Sequence, residues 1–409
     1  MKTTKKLVSL GLVAVMVASL TACGGKSDNG TTTAGTAETT AAADAGTAEQ
    51  TAGGSFKLGG IGPITGATAI YGQAVMNGAE LAINEINAAG GIGGVQIEYN
   101  FQDDEHDAEK AVNAYNNLKD WGMQVSMGTV TTTPCIAVSN DINSDGIFGL
   151  TPSASAPDVV KDKEYMFQMC FTDPNQGVAS AKYIKEQNLG QKIAVIYNNS
   201  DVYSTGIYQK FDSEAKAQGL EIVCAKTFTD DSANDFTSQL NEIKAAGADL
   251  VFLPIYYTPA SLILTQAKKM QYEPKFFGVD GMDGILTLEG FDTSLAEGVM
   301  LLTPFTADAT DDATKNFVKQ YNDKFKETPN QFAADGYDVV NAIYQGCQKA
   351  GITADMAADK IGKKLVETFT NPDFKIDGIT GSAMTWSKEG EISKEPKGMV
   401  IKDGVYVGM

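Results

Sequence analysis

The chain contains no arginine: all 32 of its basic residues are lysines. A two-pronged guanidinium clamp on a carboxylate or phosphate is therefore impossible, and any anion site must use backbone N–H groups, hydroxyls or lysine. There is one histidine, His106. A Ser/His or Cys/His triad has only that candidate base, and a two-histidine HExxH zinc site cannot exist. No Cys-x-x-Cys pair occurs among the five cysteines, which argues against zinc ribbons and thioredoxin chemistry. No GxSxG elbow occurs. Gly25-Lys26-Ser27 lacks the upstream glycine of a phosphate loop, since Leu20 stands in its place, and Pro63 interrupts the Gly60, Gly62, Gly66 series of a dinucleotide fingerprint.

What is present begins with a leader. Lys2, Lys5 and Lys6 precede an apolar run from Leu7 to Leu20, of signal-peptide length and short for a membrane span. Leu20-Thr21-Ala22-Cys23 then reads as a bacterial lipobox, with lipid attached to Cys23 after cleavage. Residues 1–23 are thus expected to be a lipoprotein signal peptide. Residues 24–54, rich in Thr, Ala and Gly, cannot bury enough apolar surface to offset their ordering, and read as a flexible tether. The remainder is expected to be extracytoplasmic and lipid-anchored to the cell membrane. Without the three leader lysines, 29 lysines face 51 acidic side chains, a net charge of −22. That surface argues against nucleic acid and anionic lipid as partners. The compartment permits one disulfide, and Cys135 with Cys170 is the expected pair because both should lie in the first domain.

From Ser55 the pattern alternates short strands with helices. Phe56 to Ile64 is apolar with glycines. Val75, Ala79, Ala82, Ile83 and Ile86 recur at helical spacing until Gly90-Gly91. Strands are expected at 95–101, 125–128 and 147–150, with helices between. The order restarts after Asp173, with strands at 193–197, 220–228, 250–254 and 276–279 and helices at 203–218, 235–246 and 259–270. Helices at 313–325 and 331–350 follow, and the last stretch, from Phe374, reads as strand and turn. This is an α/β chain with two mostly parallel, doubly wound sheets. The expected division is a first lobe over 55–173, a second over 174–302, a return segment over 303–370 to the first lobe, and another over 371–409 to the second. Several crossovers between two lobes make a hinge, and the cleft between them is a natural ligand site.

Two turns after strands are rich in hydroxyls: Thr129-Val130-Thr131-Thr132-Thr133-Pro134 and Thr151-Pro152-Ser153-Ala154-Ser155-Ala156-Pro157. Both fall at carboxyl ends of strands, where open α/β sheets bind ligands, although Ser and Thr there also cap helices. Asp103-Asp104-Glu105-His106-Asp107 could hold a cation, but reads as helix caps and solvated charge.

With these turns in view, the chain from Phe56 to about Ala350 resembles the branched-chain amino acid (Leu/Ile/Val-type) binding proteins, of the type I periplasmic binding protein family. The resemblance is carried by Ile61-Gly62-Pro63-Ile64-Thr65-Gly66, Tyr71-Gly72, Ile86-Asn87-Ala88-Ala89-Gly90-Gly91-Ile92, Asp103-Asp104, Asp145-Gly146-Ile147 and Thr151-Pro152-Ser153-Ala154-Ser155. Gln176-Gly177, Ala181-Lys182-Tyr183-Ile184, Asp235-Phe236 and Tyr256-Tyr257 extend it. It implies a substrate-binding protein of an ABC importer, not an enzyme, working without a cofactor or metal as a monomer beside a membrane permease. It implies that Thr132 and Thr133 at the first turn, and Ser153, Ala154 and Ser155 at the second, hold a ligand carboxylate. Tyr71 would line the side-chain pocket. Tyr203, Tyr256 and Asp280 would come from the second lobe, with Asp280 facing the ligand ammonium. Ser204 stands where the family has glycine, Ser155 where it has threonine, and Asp280 where it commonly has a longer acid. An amide, urea or aromatic acid is the alternative ligand on the same fold. A hydrolase built on His106 and a receptor's sensing domain are both disfavoured, the second because no membrane span or signalling domain follows Met409.

Overall fold

A computed structural model describes residues 54–409. The lipobox Cys23 and residues 24–53 of the tether lie outside the described residues. The first sheet is built from β1 (Phe56–Gly62), β2 (Ile97–Asp103), β3 (Val125–Thr129), β4 (Phe148–Thr151) and β5 (Met166–Gln168), in spatial order β2-β1-β3-β4-β5 and parallel throughout. Between these strands run α1 (Ala69–Ala88), α2 (Ala108–Trp121) and α3 (Thr132–Asp145). Asp107 caps α2 by accepting from Lys110 N, and Gly122 closes it in the left-handed region.

The chain then crosses over. α4 (Asp173–Glu186), α5 (Val202–Ala217), α6 (Thr237–Ala245) and α7 (Tyr257–Lys269) alternate with β6 (Lys192–Asn198), β7 (Glu221–Phe228), β8 (Leu250–Leu253), β9 (Lys275–Gly278) and β10 (Met300–Thr303). α8 (Asp312–Phe325), α9 (Gln331–Ala350) and α10 (Ala358–Phe369) return to the first sheet, where α9 packs along α1 and α10 against β4. Finally β11 (Lys397–Lys402) and β12 (Val405–Gly408) add an antiparallel ribbon to β10, giving the second sheet the order β12-β11-β10-β9-β8-β6-β7. Helices cover both faces of each sheet, so the strands carry near-continuous apolar side chains rather than alternating ones. The expected doubly wound α/β architecture is thus found, with a mixed edge on the second sheet.

Two glycines allow the α1–α9 crossing. A Cβ on Gly78 would stand 1.9 Å from the Ala333 carbonyl oxygen, and one on Gly336 2.4 Å from that of Val75. Both obstacles are backbone, so one helix must move. Gly78→Ala is expected to lower stability by about 1–3 kcal/mol, the usual cost of overpacking, read as a lower melting temperature.

The expected Cys135–Cys170 disulfide is not formed: Cys135, Cys170, Cys224 and Cys347 are all free thiols. Sharing a lobe did not suffice, because a disulfide needs facing Cβ atoms within a few ångströms. Cys135 lies on α3 in the cluster beneath α2, whereas Cys170 lies past β5 beside Asp335 and Asp280.

A closed aromatic cavity between two lobes

The cavity forms where the carboxyl ends of the two sheets meet. It is small and is lined by Tyr71, Val130, Thr131, Thr132, Ser153, Tyr203, Tyr256, Asp280, Gly281 and Phe332. The lobes touch directly around it. Tyr71 OH, from α1, donates to the Gly281 carbonyl and accepts from Tyr257 N at 3.3 Å. Ile70 N donates to Tyr257 OH at 3.2 Å, and Thr258 Oγ1 to the Ala67 carbonyl at 2.6 Å. The cleft is therefore closed.

The first lobe presents its two hydroxyl turns. Thr131 is the N-cap of α3, yet its side chain makes no capping bond, so the first amides of that helix carry no side-chain cap. Thr132 Oγ1 accepts from Ser155 N at 3.3 Å, which ties the two turns together. Ser153 Oγ donates to the Val130 carbonyl at 2.6 Å, leaving its lone pairs free. Ser155 is fully buried, and its hydroxyl stands beside the buried Asp173 carboxylate, whose ionised form it favours.

The second lobe supplies an acid among aromatic rings. Asp201 caps α5, accepting from Tyr203 N and Ser204 N, and so fixes Tyr203 in the first turn of that helix. Tyr203 OH donates to Asp280 Oδ1 at 2.6 Å and accepts from Gly281 N at 2.9 Å. Tyr256 stacks on Tyr203 with centroids 4.8 Å apart and meets Tyr71 edge-on at 5.6 Å. Asp280 begins a 3₁₀ turn after β9 and is 3% exposed. Burial raises its carboxyl to about 6, against the bonds from Tyr203 and Gln176 that lower it. No lysine lines the cavity.

Of the residues singled out from sequence, Tyr71, Thr132, Ser153, Tyr203, Tyr256 and Asp280 line the cavity. Thr133 does not, since consecutive helical side chains point some 100° apart and Thr132 takes the inward position. Ala154 packs in the core with Cys135 and Val138, and Ser155 lies behind the lining, beside Asp173. Val130, Thr131, Gly281 and Phe332 line the cavity but were not anticipated. Thr131 and Gly281 border residues already singled out, and Val130 lies in the same hydroxyl-rich turn as Thr131. Phe332 sits at the start of α9, far along the chain, with no local signal.

Two lobes closed over a small cavity at the carboxyl ends of their sheets define a type I periplasmic binding protein fold, a class whose work is solute binding. The family model described as periplasmic binding protein matches residues 55–393, and the chain belongs to that family. The Leu/Ile/Val-binding protein homolog 3 of Brucella melitensis is 29% identical over 357 residues, covering 86% of this chain and 93% of that protein. The leucine-, isoleucine-, valine-, threonine-, and alanine-binding protein of Pseudomonas aeruginosa is 28% identical over 320 residues, covering 78% and 84%. Among solved structures, the branched-chain amino acid transporter substrate binding protein LivJ of Streptococcus pneumoniae, in complex with isoleucine, superposes with a TM-score of 0.78 at 27% identity, covering 87% and 100%. A solute binding protein from R. palustris in complex with benzoate gives a TM-score of 0.76 at 21% identity, covering 87% and 96%, a likeness of fold alone.

Proposed function

We propose that the protein is the extracytoplasmic substrate-binding lipoprotein of an ABC importer, that it takes up a small neutral amino acid, branched-chain above all, and that closure of the cleft is its signal to the permease. Asp280 carries the reading: a buried carboxylate in a cavity with no lysine or arginine calls for a positive charge on the ligand. The ammonium lies against Asp280 beside Tyr203, and the carboxylate against the α3 amides and the hydroxyls of Thr131 and Thr132; Ser153 joins them on releasing the Val130 carbonyl, and Ser155 supports them from one layer behind. Thr133 contributes through its amide and Ala154 through its backbone. Tyr71, Tyr256 and Phe332 enclose the side chain. A ligand bridging both lobes stabilises the closed form by its differential contacts. The lobes divide near residues 173, 302 and 370, and the crossings there serve as the hinge. Cys23 carries the lipid, 24–54 is the tether, and the protein acts as a monomer without catalysis or cofactor.

The aromatic lining and the benzoate-bound relative favour a second reading, an aromatic acid as ligand. An anion beside buried Asp280 is disfavoured by repulsion. A thermal-shift screen separates the two. Stabilisation by isoleucine, leucine or valine supports the first reading, whereas stabilisation by benzoate, an amide or urea with no response to any amino acid overturns it.

The pH dependence follows from Asp280. Its carboxyl stands at about 6, and a bound ammonium favours the ionised form and lowers that value. The bound state thus holds fewer protons, so affinity is level above the higher value. It falls as pH drops through 6, by up to about tenfold per unit. Calorimetric titration with isoleucine from about pH 8 to about pH 5 checks this.

A further inference from the structure

His106 is the only histidine of the chain, and the sequence pattern alone places it among helix caps. Its backbone is unusual. Glu105 and His106 have φ values of 50° and 63°, two successive side-chain-bearing residues in the left-handed region. Such conformations persist where the surroundings over-determine them, and they cluster at functional sites. Two carboxylates hold this turn: Asp103 Oδ1 accepts from Glu105 N at 3.0 Å, and Asp104 Oδ1 from His106 N at 2.9 Å.

The turn sets the imidazole against the cavity wall. Nδ1 lies 2.8 Å from Thr131 Oγ1, the lining hydroxyl that makes no helix cap. The ring also meets Tyr256, another lining residue, edge-on at 5.6 Å and 86°. Thr131 and His106 belong to the first lobe and Tyr256 to the second, so the ring spans the closure. Asp107 on its own side and Asp230 from the second lobe are the charged groups facing it. Burial outweighs them and pushes the imidazole below its ordinary value.

A hydroxyl has one proton and two lone pairs. With the imidazole proton on Nε2, Nδ1 accepts the Thr131 proton and the oxygen offers the cavity only lone pairs. With the proton on Nδ1, Thr131 accepts it and turns its own O–H towards the cavity as a donor. A ligand carboxylate on the first lobe needs the donor.

We propose that His106 is a positioning residue for the ligand: as the Nδ1–H tautomer it orients the Thr131 hydroxyl as a donor into the cavity, and it seats on Tyr256 when the lobes close. This rests on the reading of the cavity as an amino-acid site. His106 touches Thr131 and Tyr256, and its effect on the ligand passes through them.

Because the histidine is unique, protein with ¹⁵N-labelled imidazole gives one pair of ring signals. Saturating L-isoleucine is expected to move them to the pattern of a protonated Nδ1. His106→Ala and Thr131→Val are each expected to weaken isoleucine binding about tenfold, and together hardly more than either alone. His106→Asn restores most of the affinity, since its amide can donate to Thr131 and asparagine tolerates the left-handed backbone. Melting curves show that each variant is folded. The proposal is overturned if the ring signals stay put at saturating isoleucine, or if His106→Ala binds within about twofold of wild type. If wild-type protein does not bind isoleucine, the amino-acid reading fails separately. The proposal is then decided on the protein alone, where Thr131→Val must change the tautomer balance, and an unchanged ring overturns it.

Discussion

Asp280→Asn is expected to weaken isoleucine binding by about two to three orders of magnitude while leaving the protein folded. The substitution keeps the shape and removes one charge. Losing one side of a buried, hydrogen-bonded charge pair costs about 2–5 kcal/mol, and each 1.4 kcal/mol is about tenfold in affinity. Asn presents either a neutral oxygen or an N–H to the ligand ammonium, and neither satisfies it. Tyr203 OH, now donating to Asp280 Oδ1 at 2.6 Å, can still donate to the amide oxygen, so the turn after β9 retains its anchor. Burial already disfavours the Asp280 charge, so the variant alone should melt at or above the wild-type temperature. Calorimetry paired with a melting curve separates the two effects. Unchanged affinity would remove Asp280 from the site.

Lys394→Met is expected to destabilise the protein by about 3–5 kcal/mol, the usual consequence of stranding a buried charge. Lys394 Nζ lies 2.9 Å from Asp335 Oδ1, with side chains 2% and 3% exposed. Asp335 and its neighbour Asp338 both lie on α9. Asp338 accepts from Ile379 N, Thr380 N and Thr380 Oγ1 at 2.9, 2.8 and 2.6 Å. Together these bonds fasten the stretch leading into β11, which runs from one sheet to the other, onto a helix of the first. Lys394 is the cation that offsets both acids: burial raises Asp335 to about 7 and raises Asp338, and Lys394 lowers each. Without it, both must take up protons or remain charged in an apolar surround. Lys394→Met with Asp335→Leu should recover much of the loss, since an apolar pair can replace a buried ion pair. Urea titration of both variants is the measurement. A loss below about 1 kcal/mol in the single variant would mean that water reaches the pair.

The fold was legible because most of its elements announce themselves locally. The helix over Gln331–Ala350 follows from apolar spacing and a glycine stop, and the structure places it there, with Asn330 as cap and Gly351 in the left-handed region. The weak signals were missed. β5 has only three residues, α10 follows Ala357 with no side-chain cap, and α4 begins at Asp173 with proline in its first turn. The sequence pattern placed hydroxyls at two strand ends, and Tyr71, Tyr203 and Tyr256 could be named through the family resemblance. Depth was harder. Facing the cavity or lying one layer behind it is decided by helical phase at Thr132 and Thr133 and by packing at Ala154, and neither is written in a hydroxyl count. Phe332 and His106 reach the site through tertiary packing and a strained turn, and the local pattern offers no direct sign of either.

The central claim is that the cavity recognises a zwitterion through a buried acid. The most direct measurement is calorimetric titration of ligand-stripped protein with L-isoleucine and, side by side, with the carboxylic acid of the same skeleton lacking the ammonium group. The account predicts tight binding of isoleucine and at least about a hundredfold weaker binding of the deaminated acid, since the loss leaves Asp280 buried and unpaired. Equal binding of the two, or preference for the acid, would contradict it.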